Sequence, residues 1–253
     1  ISALSAVEDE SYGFEVGAGD YITKPFSAPI VSARVATHLA LYDQRRDLED
    51  RVRQRTEELA NSRLEVLQQL GRAAEYKDNE TGFHVIRMSY YARLIARRAG
   101  LNELDADLLF QAAPLHDIGK IGIADRILLK RGKLTRDEWA VMKTHCEIGR
   151  KIIGSSGSEL FTIARQVALT HHEKWDGSGY PQGLKGEEIP LIGRIVAISD
   201  VFDALISKRS YKEPWPIDDA VDYIRNQAGK HFDPTLVALF DELLPEILEV
   251  ANR

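Results

Sequence analysis

Polar and apolar positions divide the chain into three stretches of different texture. Residues 1–42 alternate in short pieces: a strand end at Ile1, helical texture over 8–16, the turn-forming Gly17-Ala18-Gly19, a short strand at Tyr21-Ile22-Thr23, then Lys24-Pro25 and a further helix. Over 41–73 the only helix breaker is Gly71, charge is dense, and Asp47/Arg51 and Glu49/Arg53 take the i,i+4 spacing that supports a helix. Arg45, Val52, Leu59, Val66 and Ala73 fall seven apart, and Leu41 and Leu48 fill the alternate seam until Arg55, Ser62 and Gln69 replace them. A seam that is half apolar suits a dimeric coiled coil and a solvated spacer helix about equally.

From residue 72 onward the pattern is helical. Apolar residues recur at the helical period over 85–99, 104–115, 160–169, 192–206, 218–228 and 234–250, and Thr135 with Glu138 forms a capping box opening a helix that carries Trp139, Val141, Met142 and Ile148. The exception is 173–191, which holds Gly177, Gly179, Pro181, Gly183, Gly186 and Pro190. A loop of that length in a compact domain usually serves function. The expected fold is mainly α.

Composition narrows the classes. With 253 residues, 44% of them hydrophobic, the chain can bury a sizeable core. A net charge of -6 argues against capture of a nucleic acid polymer or an anionic membrane, which calls for a basic face. A single cysteine, Cys146, excludes an internal disulfide, and no apolar run approaches a membrane span, so a cytoplasmic protein is expected. The start at Ile1 lacks the basic-then-apolar layout of a signal peptide and suggests that the sequence is part of a longer protein.

Five of the seven histidines, His84, His116, His145, His171 and His172, lie in the helical region beside carboxylates or one another. Glu80 and His84 are four apart, which on a helix places both on one face within reach of a single ion. His116-Asp117 closes an apolar helix expected to end at Gly119, His171-His172 stands just before the glycine-rich loop, and Asp200 follows the apolar run Ile195-Val196-Ala197-Ile198. Imidazole and carboxylate donors suit first-row divalent ions, and eight donors exceed what one ion needs, so two or three ions are implied. Without metal, so many charges in a low-dielectric cleft would suffer desolvation and repulsion. A pair of ions bridged by a carboxylate lowers the pKa of coordinated water from ~15.7 toward ~7 and neutralises phosphoryl oxygens, which suits in-line attack on phosphorus.

Taken in order, ETGFH at 80–84, HDIGKIG at 116–122, His145, HHEKWDGSGYP at 171–181 and DVFDAL at 200–205 resemble the HD-GYP family, a branch of the HD phosphohydrolases, over residues 72–250. The resemblance implies an all-helical HD-type metal phosphohydrolase domain at 72–253 that cleaves cyclic di-GMP to linear pGpG, and onward to GMP where the site is fuller. By the same resemblance His84, His116, Asp117, His145, His171, His172 and Asp200 are metal ligands, Asp117 is the bridge, and Glu80 matches a third-metal ligand of some members. The ions implied are iron or manganese, with nickel or zinc as alternatives. Lys120 is expected to aim a cation at the scissile phosphate, and Asp203 to orient a ligand or Lys120. Arg209, Tyr211, Lys212, Gly179 and Tyr180 match substrate contacts, Arg and Lys being suited to a dianionic dinucleotide. The Gly179-Tyr180-Pro181 loop is also linked in the family to diguanylate-cyclase-domain partners. Two departures, Ser210 before Tyr211 and Ala124 before Asp125, bear only on local loop shape.

Residues 1–42 resemble the C-terminal portion of a response-regulator receiver domain, an α/β remnant with Ser2 as switch hydroxyl, Tyr21 as switch aromatic, and Lys24-Pro25 as a cis peptide beside a phosphoryl-contacting Lys24. The resemblance implies a cognate histidine kinase acting on the intact receiver, with 43–71 as a linker helix and a homodimer through that helix as one arrangement. Two other functions fit the same residues: a binding adaptor with vestigial catalysis, and an HD hydrolase acting on another cyclic dinucleotide or on a nucleotide monophosphate.

Overall fold

The computed structural model describes residues 11–12, 14–22, 24–78, 83–155, 157–208 and 213–252. The described residues are helical with no β-strand, and they divide into two compact units at residues 61 and 62. In the first, 11–12 and 14–15 are helical, Lys24-Pro25 is cis, and α1, Ala28–Lys77, begins. The expected strand at 21–23 is corrected: Tyr21 and Ile22 are not in a strand, and Thr23 lies outside the described residues. The Tyr21 N–H donates to Asp20 Oδ1 at 2.8 Å, and the Tyr21 carbonyl accepts from Arg34 Nη1 at 3.1 Å. Side chains thus take both backbone groups that a ladder would have used. The α/β character expected of this stretch is absent from its described residues.

The second unit takes the rest of α1 and ten further helices: α2 His84–Arg98, α3 Glu103–Ala112, α4 Asp125–Leu128, α5 Arg136–Met142, α6 His145–Ile153, α7 Glu159–Thr170, α8 Leu191–Ile206, α9 Ile217–Asn226, α10 Pro234–Glu242 and α11 Leu244–Ala251. In α2, Val85, Met88, Ala92, Ile95 and Ala96 recur three, four and seven apart and are all buried, with Tyr91 beside them. That face packs on Ile195, Ile198, Phe202 and Leu205 of α8, and Phe202 links Tyr91 to Phe240 of α10 by edge-on ring contacts at 5.8 and 5.0 Å. Burying such side chains stabilises by roughly 1.5–3 kcal/mol each, which is what holds the polar ends of α2 and α8 in register.

Local signals set the helix ends. Asn102 Oδ1 accepts from the Asp105 N–H at 2.9 Å, and the Thr135–Glu138 capping box opens α5 as expected. The helix expected over 234–250 is instead two, α10 and α11, because Pro245 has no N–H to donate and its ring crowds the carbonyl four residues back. The apolar helix expected to run to Gly119 ends at Ala112 and gives way to two short 3-10 helices, Ala113–Leu115 and Ile118–Gly122, with His116 and Asp117 at the junction. No helix among the described residues is long and apolar enough to cross a membrane.

Candidate metal centre

Five segments of the second unit converge on one buried cluster: the N-terminus of α2 (His84), the 3-10 junction (His116, Asp117), the N-terminus of α6 (His145), the C-terminal end of α7 (His171, His172) and mid-α8 (Asp200, Asp203). Gly119 permits part of this convergence. A Cβ there would lie 1.9 Å from the His145 carbonyl oxygen, so only glycine lets the junction seat against α6.

Three histidines are aimed the same way. His116, His145 and His171 each donate Nδ1–H to a backbone carbonyl, of Ala113 at 3.0 Å, Met142 at 2.9 Å and Val167 at 3.0 Å. The bond sets the tautomer of the neutral ring and turns Nε2 inward, that of His145 also standing 3.5 Å from Cys146 Sγ, the arrangement typical of metal-binding histidines. Asp117 lies between two groups: its Oδ1 is 3.2 Å from His145 Nε2 and 3.4 Å from His171 Nε2, while Oδ2 is 3.3 Å from His116 Nε2. His84 Nε2 is 3.1 Å from Asp200 Oδ1. Donor atoms of Asp117, His145, His171 and His172 lie within 4.8 Å of one another, and so do those of His84, His116 and Asp200. His116 Nε2, His171 Nε2 and Asp117 Oδ1 are buried without a hydrogen-bond partner. Inward-facing buried lone pairs lacking donors fit cations at two adjacent positions, so these residues fit the metal that the fold family implies.

Electrostatics agree with that fit. Burial opposes ionisation of Asp117, but Lys120 and His116 beside it hold its carboxyl well below the usual range. His145, against burial, is pushed up to about 10 by its contact with Asp117. Burial also opposes protonation of His84, which Asp200 and Asp203 hold well above its ordinary value. Burial lowers His171, and burial together with the neighbouring His171 lowers His172 further.

Asp203 was expected to orient a ligand or Lys120. Its oxygens accept from His84 Nδ1 at 2.9 Å, from Arg87 Nε and Nη2 at 2.8 Å each, and from Ser207 Oγ at 2.9 Å. Asp203 therefore orients His84, and other carboxylates hold Lys120. The Lys120 Nζ is 2.8 Å from Asp117 Oδ2, 2.7 Å from Asp78 Oδ2 and 3.9 Å from Glu75 Oε1.

The loop after α7 is built on buried Glu173, whose oxygens accept the N–H groups of Gln182 at 2.7 Å and Leu184 at 3.0 Å. A Cβ on Gly179 would come within 2.3 Å of the Lys174 nitrogen, so the chain folds back on itself only with glycine there. The path lays the Tyr180 ring against His172, centroids 4.7 Å apart, and Trp139 meets Tyr180 edge-on at 5.8 Å.

Seven of the eight expected ligands are thus brought together. Glu80 lies outside the described residues, as do Arg209, Tyr211 and Lys212, and the one-turn chelate expected of Glu80 and His84 therefore falls outside them too. The sequence reading missed Glu75, Asp78, Arg87 and Glu173. Arg87 carried a signal, being one turn past His84 on the same helical face.

Comparison with known proteins places this centre in a family. The family described as HD domain matches residues 54–236. The chain belongs to the HD domain family. It is 43% identical to the probable cyclic di-GMP phosphodiesterase of Vibrio cholerae serotype O1, over 100% of this chain and 62% of that protein. It is 44% identical to the cyclic di-GMP phosphodiesterase response regulator RpfG of Xanthomonas campestris pv. campestris, over 94% of this chain and 65% of that protein. A third relative, the 3'3'-cGAMP-specific phosphodiesterase 2 of the same Vibrio cholerae strain, is 46% identical over 76% of this chain and 37% of its own length. The chain therefore spans less than two thirds of the length of these relatives.

Proposed function

We propose that the chain is a metal-dependent phosphodiesterase of the HD-GYP type that hydrolyses cyclic di-GMP to linear pGpG and, with a third ion at Glu80, onward to GMP. The observation that carries this reading is Asp117, a single buried carboxylate with one oxygen toward His145 and His171 and the other toward His116. On this reading His84, His116, Asp117 and Asp200 hold one divalent ion, and Asp117, His145, His171 and His172 hold the other. The ions are iron or manganese, nickel and zinc being the alternatives, since such donor sets accept several metals. When bound, they supply Lewis-acid charge and an activated water for attack on phosphorus.

The chain's own groups do the rest. Asp203 and Arg87 keep His84 turned toward Asp200. Backbone carbonyls at Nδ1 turn Nε2 of His116, His145 and His171 toward the ions, and Lys120 offers its ammonium to a phosphoryl oxygen. Tyr180 and the backbone at Gly179 line the approach, with Arg209, Tyr211 and Lys212 gripping the second phosphate. One P–O ester bond breaks, the attacking water's oxygen bonds to phosphorus, and the departing ribose oxygen takes a proton.

In the intact protein we assign 1–42 to the C-terminal portion of a receiver domain, 43–71 to a linker helix and 72–253 to the phosphodiesterase domain. The relatedness to a response regulator supports this assignment. A histidine kinase would then act on the receiver, and a diguanylate-cyclase-domain protein could dock on the Gly179-Tyr180-Pro181 loop. Leu41, Leu48, Val52, Leu59 and Val66, each more than half exposed along α1, support a homodimer through that helix. The protein is read as cytoplasmic.

A second reading, hydrolysis of another cyclic dinucleotide, is favoured by the relatedness to a 3'3'-cGAMP-specific enzyme. Rates on cyclic di-GMP, 3'3'-cGAMP and a nucleotide monophosphate, measured with metal-replete protein, decide between them. Cyclic di-GMP is expected to be fastest; a preference for either of the others overturns the assignment of cyclic di-GMP as substrate, and stoichiometric binding without turnover indicates an adaptor.

A further inference from the structure

Glu75, in the last turn of α1, is 1% exposed, and neither of its carboxylate oxygens has a hydrogen-bond partner. Burying a carboxylate in that condition is unfavourable, so the fold keeps it there for the sake of a cation. Two cations come into question. Donor atoms of Glu75, His116 and Asp117 lie within 4.8 Å of one another, close enough for an ion. Yet the Lys120 ammonium already stands 3.9 Å from Glu75 and 2.8 Å from Asp117, and a divalent ion in that corner would face it at close range. Lysine is the better occupant.

The same turn of α1 reaches Lys120 twice more. Asp78 accepts from its Nζ at 2.7 Å. The Lys77 Nζ donates to the carbonyls of Ile121 and Ile123, at 2.7 Å each, and so ties down the short 3-10 helix that carries Lys120. Head and backbone of one lysine are therefore both fixed by three nearly consecutive residues at the end of α1, Glu75 and Lys77 in its last turn and Asp78 just past it.

We infer that Glu75 and Asp78 are positioning residues for Lys120, with Lys77 fixing its backbone, so that the end of α1 sets where the ammonium meets a phosphoryl oxygen. The inference rests on the proposed function only in naming the phosphate of a cyclic dinucleotide as what Lys120 meets. Asp117 alone would leave a flexible four-carbon stem free to turn its charge elsewhere. Carboxylates on a second element restrict it to one corner of the site.

A double-mutant cycle on the full chain tests this. Glu75→Gln and Asp78→Asn should each lower kcat/KM for cyclic di-GMP by about tenfold, while metal content by elemental analysis and the unfolding midpoint stay at wild-type values. In a Lys120→Ala background neither should lower it further, and Asp78→Glu should restore part of the loss. Losses that multiply in the Lys120→Ala background, or loss of metal from Glu75→Gln, would overturn the inference. The same cycle read by calorimetric binding of inorganic phosphate to the metal-loaded protein needs no turnover. Non-additive phosphate binding in a protein that hydrolyses nothing would overturn the proposed function and keep this inference; additive binding would overturn the inference itself.

Discussion

Two regions of this chain are rich in the same charged residue types and use them in opposite ways. Along α1 every residue from 33 to 63 is exposed, and Arg45 with Glu49, Arg53 with Asp50 and Arg55 with Glu58 pair at 2.7–2.9 Å on the helix surface. Each such pair adds little to the helix, because water screens it and either partner alone remains well solvated. In the metal centre, Asp117, Asp203, His84, His116, His145 and His171 are buried, and no partner can be removed without stranding a charge. The difference teaches that spacing identifies a charge pair, while burial decides whether the pair is decoration or a constraint on what else must bind.

The largest effect is expected from Asp117, the carboxylate that lies between the two groups. Asp117→Ala should abolish binuclear loading and lower hydrolysis by a factor on the order of a thousand or more, with elemental analysis and a rate assay as the checks; retained turnover would contradict the bridging role. Asp203→Asn should leave the ligand count intact but loosen His84, lowering metal affinity by roughly 10- to 100-fold, as a competitive chelator titration would show.

A third effect concerns protons. In chelator-treated protein His145 is held at about 10, and His84 and His116 are also held above their ordinary value, whereas His171 and His172 are held below it. Loading a divalent ion at pH 7 should therefore expel protons from the first three histidines and none from the last two. Calorimetry in buffers of different ionisation enthalpy reads this directly. The sign for stability follows: without metal, the His145–Asp117 pair contributes fully below the unfolded histidine value near ~6.5 and is lost as pH rises through about 10. A metal-free protein whose stability falls on acidification from pH 10 to 7 would contradict the pairing. The smallest effect belongs to the exposed region: Arg45→Ala should leave the midpoint of a denaturant titration within error of wild type.

The seven clustered residues were legible as expected ligands because metal chemistry needs particular residue types, some of them beside an abrupt change in the apolar pattern, as Asp200 is after Ile195–Ile198. Glu75 was not, because it sits in a helix in which exposed carboxylates recur every few residues and nothing local marks this one as buried. Its only trace is the small residues Gly71 and Ala74, buried on the same flank, which let the end of α1 approach the core. Asp78 and Glu173 act on Lys120 and on loop N–H groups distant in sequence, which no local pattern encodes. The strand at 21–23 failed for the converse reason: strand texture was present, but Asp20 and Arg34 claimed the backbone first.

Metal-dependent hydrolysis is tested most directly by elemental analysis of anaerobically purified protein paired with chromatography of its products from cyclic di-GMP. Two or three divalent ions per chain, with pGpG or GMP appearing in proportion to metal content, are the predicted result. A fully loaded centre that yields neither product would contradict it.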